Sequence, residues 1–156
     1  MNIEFSNDST FASIIVPFAV EAAWMTSKWD CLETFTAGFQ GIMPQDFNTS
    51  IAVLLNLIHK NCDKVQFLTA LNKIRDTVAL RMTHSGTASL QDAHNPMIKC
   101  HVLGDLETLF LIDLKNEAER LGTMWLLDSR LDIIGADHSD KQYVLGIRRA
   151  AMELLK

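Results

Sequence analysis

The stretch Val20–Glu33, VEAAWMTSKWDCLE, constrains this chain most. Its first half reads as the end of a helix, Thr26–Ser27–Lys28 as a tight connection, and its second half as the start of another helix. Trp24 and Trp29 flank the connection. Two indoles so placed can pack against each other or against the next helix pair, and each brings a large apolar area. Ser27 is positioned to cap the second helix, whose Asp30 and Glu33 suit the positive end of the helix dipole. A helical hairpin with aromatics at its bend is the unit of an α-solenoid.

Composition agrees with a helical reading. Hydrophobic residues make up 48% and charged residues 21%, a globular balance that argues against disorder. Seven Gly and three Pro in 156 residues leave most of the chain free to be helical. A net charge of −5 argues against direct nucleic-acid binding, which needs a basic face. Cys31, Cys62 and Cys100 are an odd, widely spaced set without C-x-x-C, which suits buried free thiols in a reducing compartment. The first ten residues lack a basic segment followed by an apolar core, so they do not read as a secretion signal. The longest apolar run, Phe11–Val20, is broken by Ser13 and Pro17 and is too short to span a bilayer. The chain therefore reads as soluble and intracellular, with no membrane partner.

Apolar residues recur at helical spacing along the whole chain. Phe11, Ile14, Ile15, Phe18 and Ala22 form the first such set, and Pro17 predicts a break within it. A second helix is expected from about Lys28 to Ala37, before a loop at Gly38, Gly41 and Pro44. A third carries Ile51, Leu54, Leu55 and Ile58 and ends at Asn61. Asp63 caps a fourth, with Val65, Leu68, Leu71, Ile74, Val78 and Met82 on its apolar face. Residues 85–95 read as a polar loop, with room for a helical turn at Leu90. A fifth helix starts at Pro96 and includes Met97, Ile98, His101, Val102, Leu106, Leu109 and Phe110. Glu117–Ile134 makes a sixth, and Ser139–Gln142, in capping-box form, opens a seventh. The expected fold is all-α: antiparallel helix hairpins stacked as a tetratricopeptide-like α-solenoid segment, one unit over residues 1–156. The apolar helix that reaches Lys156 without a cap points to a piece of a longer chain.

Chemistry-bearing patterns are sparse. The five histidines show no H-x-x-x-H, and Cys100–His101 are adjacent, about 100° apart on a helix. No catalytic, cofactor-binding or metal site is expected. Asp105, Glu107, Asp113, Glu117 and Glu119 read as a solvated acidic face rather than an acid–base pair. Arg148 and Arg149, with Lys141, form the main basic spot. It suits either an acidic contact, or favourable charge near a helix C-terminus together with a helix-to-helix salt bridge. Trp24, Trp29 and Trp125 could anchor a peptide in a solenoid groove, but their flanking apolar spacing favours the core.

Three blocks carry a family resemblance. VEAAWMTSKWDCLE at 20–33 resembles the FAT region of phosphatidylinositol-3-kinase-related protein kinases, where a helix ending E-A-x-W is followed by a short turn and W-D-x-L-E. PMIKCHVLGDLE at 96–107 is similar to a helix there ending in L-x-x-L-E. Trp125, Arg130–Leu131 and YVLGIRRAAMELL at 143–155 resemble its W-x-x-R-L and L-x-x-R-R-A-x-x-x-L signature. The wording is closest to the ATR-type DNA-damage checkpoint kinases.

The resemblance implies a non-catalytic scaffold segment within a large nuclear serine/threonine kinase, supporting the kinase domain. Its partners would be the rest of that kinase chain and a partner subunit or a second copy. This chain has no Gly-rich phosphate loop, catalytic Asp–Asn loop or D-F-G, so ATP and Mg are expected only in the parent's kinase domain. By the same resemblance Trp24, Trp29, Asp30, Trp125 and Arg130 would shape the architecture, and Arg148 and Arg149 would make contacts. The alternative is a stand-alone tetratricopeptide-like adaptor that binds a peptide or protein. A small all-α enzyme is a third reading, for which the sequence offers no constellation.

Overall fold

The computed structural model describes residues 9–39, 44, 46–84, 90–112, 115–135 and 137–156. Among them lie seven α-helices: α1 (Ser9–Met25), α2 (Trp29–Thr36), α3 (Phe47–His59), α4 (Lys64–His84), α5 (Leu90–Leu111), α6 (Glu117–Ile133) and α7 (His138–Leu154). A 3-10 turn, Ala37–Phe39, follows α2, and no strand occurs among the described residues. The expected all-α class is what the chain adopts.

Helix ends follow local chemistry. Ser27 and Asn61 have positive φ, 55° and 52°. At Ser27 the Lys28 amide donates to Ala23 O at 2.9 Å and the Ser27 amide to Trp24 O at 3.4 Å. At Asn61 the Cys62 amide donates to Leu57 O at 3.1 Å and the Asn61 amide to Ile58 O at 2.9 Å. Both are Schellman closures, in which a left-handed residue lets two amides satisfy the last helical carbonyls. Ser27 thus terminates α1 rather than capping α2, whose N-cap position, Lys28, has no side-chain cap bond. Asp46, Asp63, Asn116 and Asp137 cap α3, α4, α6 and α7 by accepting from backbone amides. The expected capping box at Ser139 is displaced by Asp137, which accepts from the Ser139 amide at 2.8 Å.

Two prolines lie inside helices where the sequence predicted boundaries. Pro17 sits within α1 and Pro96 within α5. Each removes one helical amide, a cost that surrounding contacts can offset. Val20, Ala23 and Trp24 are buried just after Pro17. Before Pro96, His94 Nε2 meets Asp140 Oδ2 of α7 at 2.5 Å, which ties down the first turns of α5. Of the polar stretch 85–95, residues 90–95 are therefore helical, and 85–89 lie outside the described residues.

Consecutive helices pack from α1 to α6, and α1 also packs on α3. α7 lies against α5, α3 and α1 together, closing one side of the stack. The core is one cluster running from Val20 and Trp24 through Ile51, Leu54 and Leu55 to Leu103, Leu106, Val144 and Ile147. On α4 the buried face differs from expectation. Val65 and Met82 are exposed and Phe67 is buried, its ring stacked on Phe110 of α5 at 3.9 Å between centroids. Cys31 and Cys100 are exposed rather than buried, and Cys62 is half-buried; all three are free thiols.

Candidate functional site

α5 presents Ile98, Val102, Leu103, Leu106 and Leu109 to the core. Asp105 stands in the middle of that run and is only 1% exposed. A carboxylate so placed must be paired, because an isolated buried charge is very costly. Two guanidinium groups meet it. Arg148 of α7, itself 5% exposed, donates from Nε to Asp105 Oδ2 at 2.8 Å, and its Nη2 lies 2.8 Å from the same oxygen. Arg130 of α6 donates from Nη1 to Asp105 Oδ1 at 3.2 Å and to Thr108 Oγ1 at 3.2 Å. Thr108 Oγ1 in turn donates to Gly104 O at 2.7 Å. One carboxylate on α5 thereby braces α6 and α7. Both of its oxygens are occupied by cations, so the group works as a clamp and not as a base toward a substrate.

A second polar network joins α1, α3 and α7. Tyr143 donates to Asn48 Oδ1 at 2.5 Å, and Asn48 Nδ2 donates to Glu21 Oε2 at 2.9 Å. Burial, reinforced by the charge of Asp46, pushes the Glu21 carboxyl above its ordinary range. Burial, with Glu21 and Asp46 adding to it, pushes the Tyr143 phenol well above its ordinary range. The Trp24 ring packs edge-on against Tyr143 at 6.2 Å. Closer to the bend, Ser27 Oγ donates to Glu153 Oε2 at 2.7 Å and Arg149 Nη2 to Met25 O at 2.7 Å. The end of α7 is thus fastened to the α1–α2 connection.

The residues singled out from sequence fall in different places. Trp24 is fully buried and Trp29 half-buried, but the two indoles part company: Trp29 stacks on His59 at 6.2 Å. Asp30 is exposed in the first turn of α2. Trp125, expected in the core, is 73% exposed because it lies on the side of α6 opposite buried Leu127. Of the two readings of the Arg148–Arg149 spot, Arg148 takes the helix-to-helix salt bridge, turning inward to Asp105, and Arg149 is exposed. Asp105 is likewise no part of a solvated acidic face, and Glu107 pairs with Arg75 at 2.5 Å. Asp113 lies outside the described residues. The signal for Asp105 was its register: it falls three residues after Val102 and four before Leu109, on the apolar side of α5.

Among the described residues no three His, Cys, Asp or Glu side chains gather as a metal site, and no helix is long and apolar enough to cross a membrane. An apolar cleft between α3, α4 and α5 is lined by Phe47, Ile74, Val78 and Pro96. Lys99 stands at it, with Nζ 5.4 Å from the centre of the Phe47 ring. Burial, and then the neighbouring Arg81 charge, lowers the Lys99 pKa. A larger open groove, about 750 Å³, runs between α6 and α7 past Met124, Leu127, Leu145 and Met152.

Stacked helices and polar networks spent on bracing define a helical scaffold. The chain belongs to the FAT domain family, whose model matches residues 16–156. It is thus a helical scaffold region of the phosphatidylinositol-3-kinase-related kinase type. No solved structure matches the chain.

Proposed function

We propose that this chain is a non-catalytic stretch of the FAT scaffold of an ATR-type serine/threonine kinase, acting in the nucleus in DNA-damage checkpoint signalling. It supports the parent's kinase domain and carries contacts to that chain and to a partner subunit or second copy. ATP and Mg belong to the parent's kinase domain. The single observation that carries the scaffold role is the Asp105 clamp, which joins three helices through buried charge. Such a cluster favours one helix arrangement over others, as suits a part that transmits force or position between domains. The ATR-type branch rests on the wording of the three sequence blocks at 20–33, 96–107 and 125–155.

An antibody raised to this chain should precipitate, from cell extract, a polypeptide that phosphorylates serine/threonine peptides. Asp105→Ala in that polypeptide should lower its activity although no phosphate-handling residue is touched. A precipitate without phosphotransfer, or a variant of unchanged activity, would overturn the reading.

A further inference from the structure

The outer side of α6 is apolar and uncovered. Trp125 is 73% exposed, Ile133 68% and Leu121 60%, with Leu126 beside them. Positions 121, 125 and 133 recur at four- and eight-residue intervals, so with 126 they form one stripe along the helix. Small residues, Ala118, Gly122 and Ser129, fill the gaps between them. An exposed large aromatic within an apolar stripe has the composition of an interface centre.

Charge beside that stripe is mainly acidic. Glu117 and Asp128 follow one edge, Asp132 falls in register between Leu121 and Trp125, Glu119 lies just past Leu126 on the other edge, and all four are exposed. Arg130 is drawn away to Asp105 and does not offset them. Acidic flanks repel the anionic surface of a membrane, so the stripe is not built to lie on lipid. A second copy of this chain would bring another net charge of −5 and the same acidic residues. The complementary occupant is an amphipathic helix with an apolar face and Lys or Arg beside it.

We propose that the outer face of α6 docks a cationic amphipathic helix of a partner protein, with Trp125 as its anchor. This rests on the scaffold reading and names the chemistry of one of its contacts.

The test is a calorimetric titration of the 156-residue chain with a synthetic Leu/Lys amphipathic helix of about 18 residues. The same helix with Glu in place of Lys serves as control. The Lys helix should bind and the Glu helix should not. Trp125→Ala and Asp132→Lys should each weaken binding by about tenfold or more, as loss of an interface anchor or a matched charge does. Asp76→Lys, an exposed acid on α4, should leave it within about twofold. Several results would overturn the proposal. One is equal weakening by Asp76→Lys and Asp132→Lys, which would mean attraction to net charge alone. Others are full binding by Trp125→Ala, a Trp125-dependent dimer in sedimentation, or Trp125-dependent binding to phosphatidylserine vesicles. The precipitation assay above does not involve this face. A kinase-linked parent whose FAT stretch ignores the peptide would sink only the docking proposal. A chain that binds the peptide but has no linked kinase would sink only the scaffold reading.

Discussion

Arg148 Nε donates to Asp105 Oδ2 at 2.8 Å, and neither residue is more than 5% exposed. The bond joins α7 to α5 inside the core, where removing Asp105 leaves the buried Arg148 without compensation, while removing Arg148 leaves Asp105 paired with Arg130 alone. Asp105→Ala should cost about 3–5 kcal/mol in urea unfolding, and Arg148→Met less. The double variant Asp105→Leu/Arg148→Met should recover most of that loss, because Arg130 is half-buried and can turn to water. A double variant as unstable as the sum of the two singles would show that the clamp is not a coupled unit.

The three tryptophans should separate cleanly by stability. Trp24→Ala removes a fully buried indole and should cost about 3–5 kcal/mol. Trp125→Ala removes an exposed one and should change stability by no more than about 0.5 kcal/mol. Thermal unfolding of the two variants checks both figures.

Gly146 of α7 lies against the Trp24 ring: a Cβ there would stand 3.4 Å from the indole. That is the near limit of ordinary contact, so Gly146→Ala should be tolerated and gain up to about 1 kcal/mol from helix propensity. Gly146→Leu has no such room and should cost about 1–3 kcal/mol. Chemical denaturation of the pair reads out the closeness of α1 and α7.

Glu21 gives a pH dependence of defined sign. Burial, aided by Asp46, raises its folded-state pKa above the ordinary 4.5. The stability tied to the protonated form is fully present below the unfolded pKa and is lost as pH rises through the folded one. Glu21→Gln, which keeps an acceptor for Asn48, should therefore match the parent chain in acid and exceed it at neutral pH. Equal stability at both pH values would mean that Glu21 is not desolvated by its place beside Asn48 and Tyr143.

Much of the fold was legible because helical spacing is a local property. Leu54, Leu55 and Ile58 of α3 lie in the core as their register requires, and Asp63 caps α4. Errors came where a distant contact overrides a local rule. Pro17 and Pro96 do not end helices, since tertiary packing and the His94–Asp140 pair hold the chain helical around them. Trp125 was read inward because most indoles are, and α6 covers the stack with only one side. Asp105 was read outward for the same kind of reason. Its partners, Arg130 and Arg148, stand 25 and 43 residues away, beyond what spacing along one helix can show.

A chain that is part of a kinase scaffold must occur in cells within a much larger polypeptide. The direct measurement is the size of the native product, by immunoblot of cell extract with an antibody to this chain. A band far above 17.5 kDa, with serine/threonine kinase activity in the same polypeptide, is the expected result. A band at 17.5 kDa would contradict it.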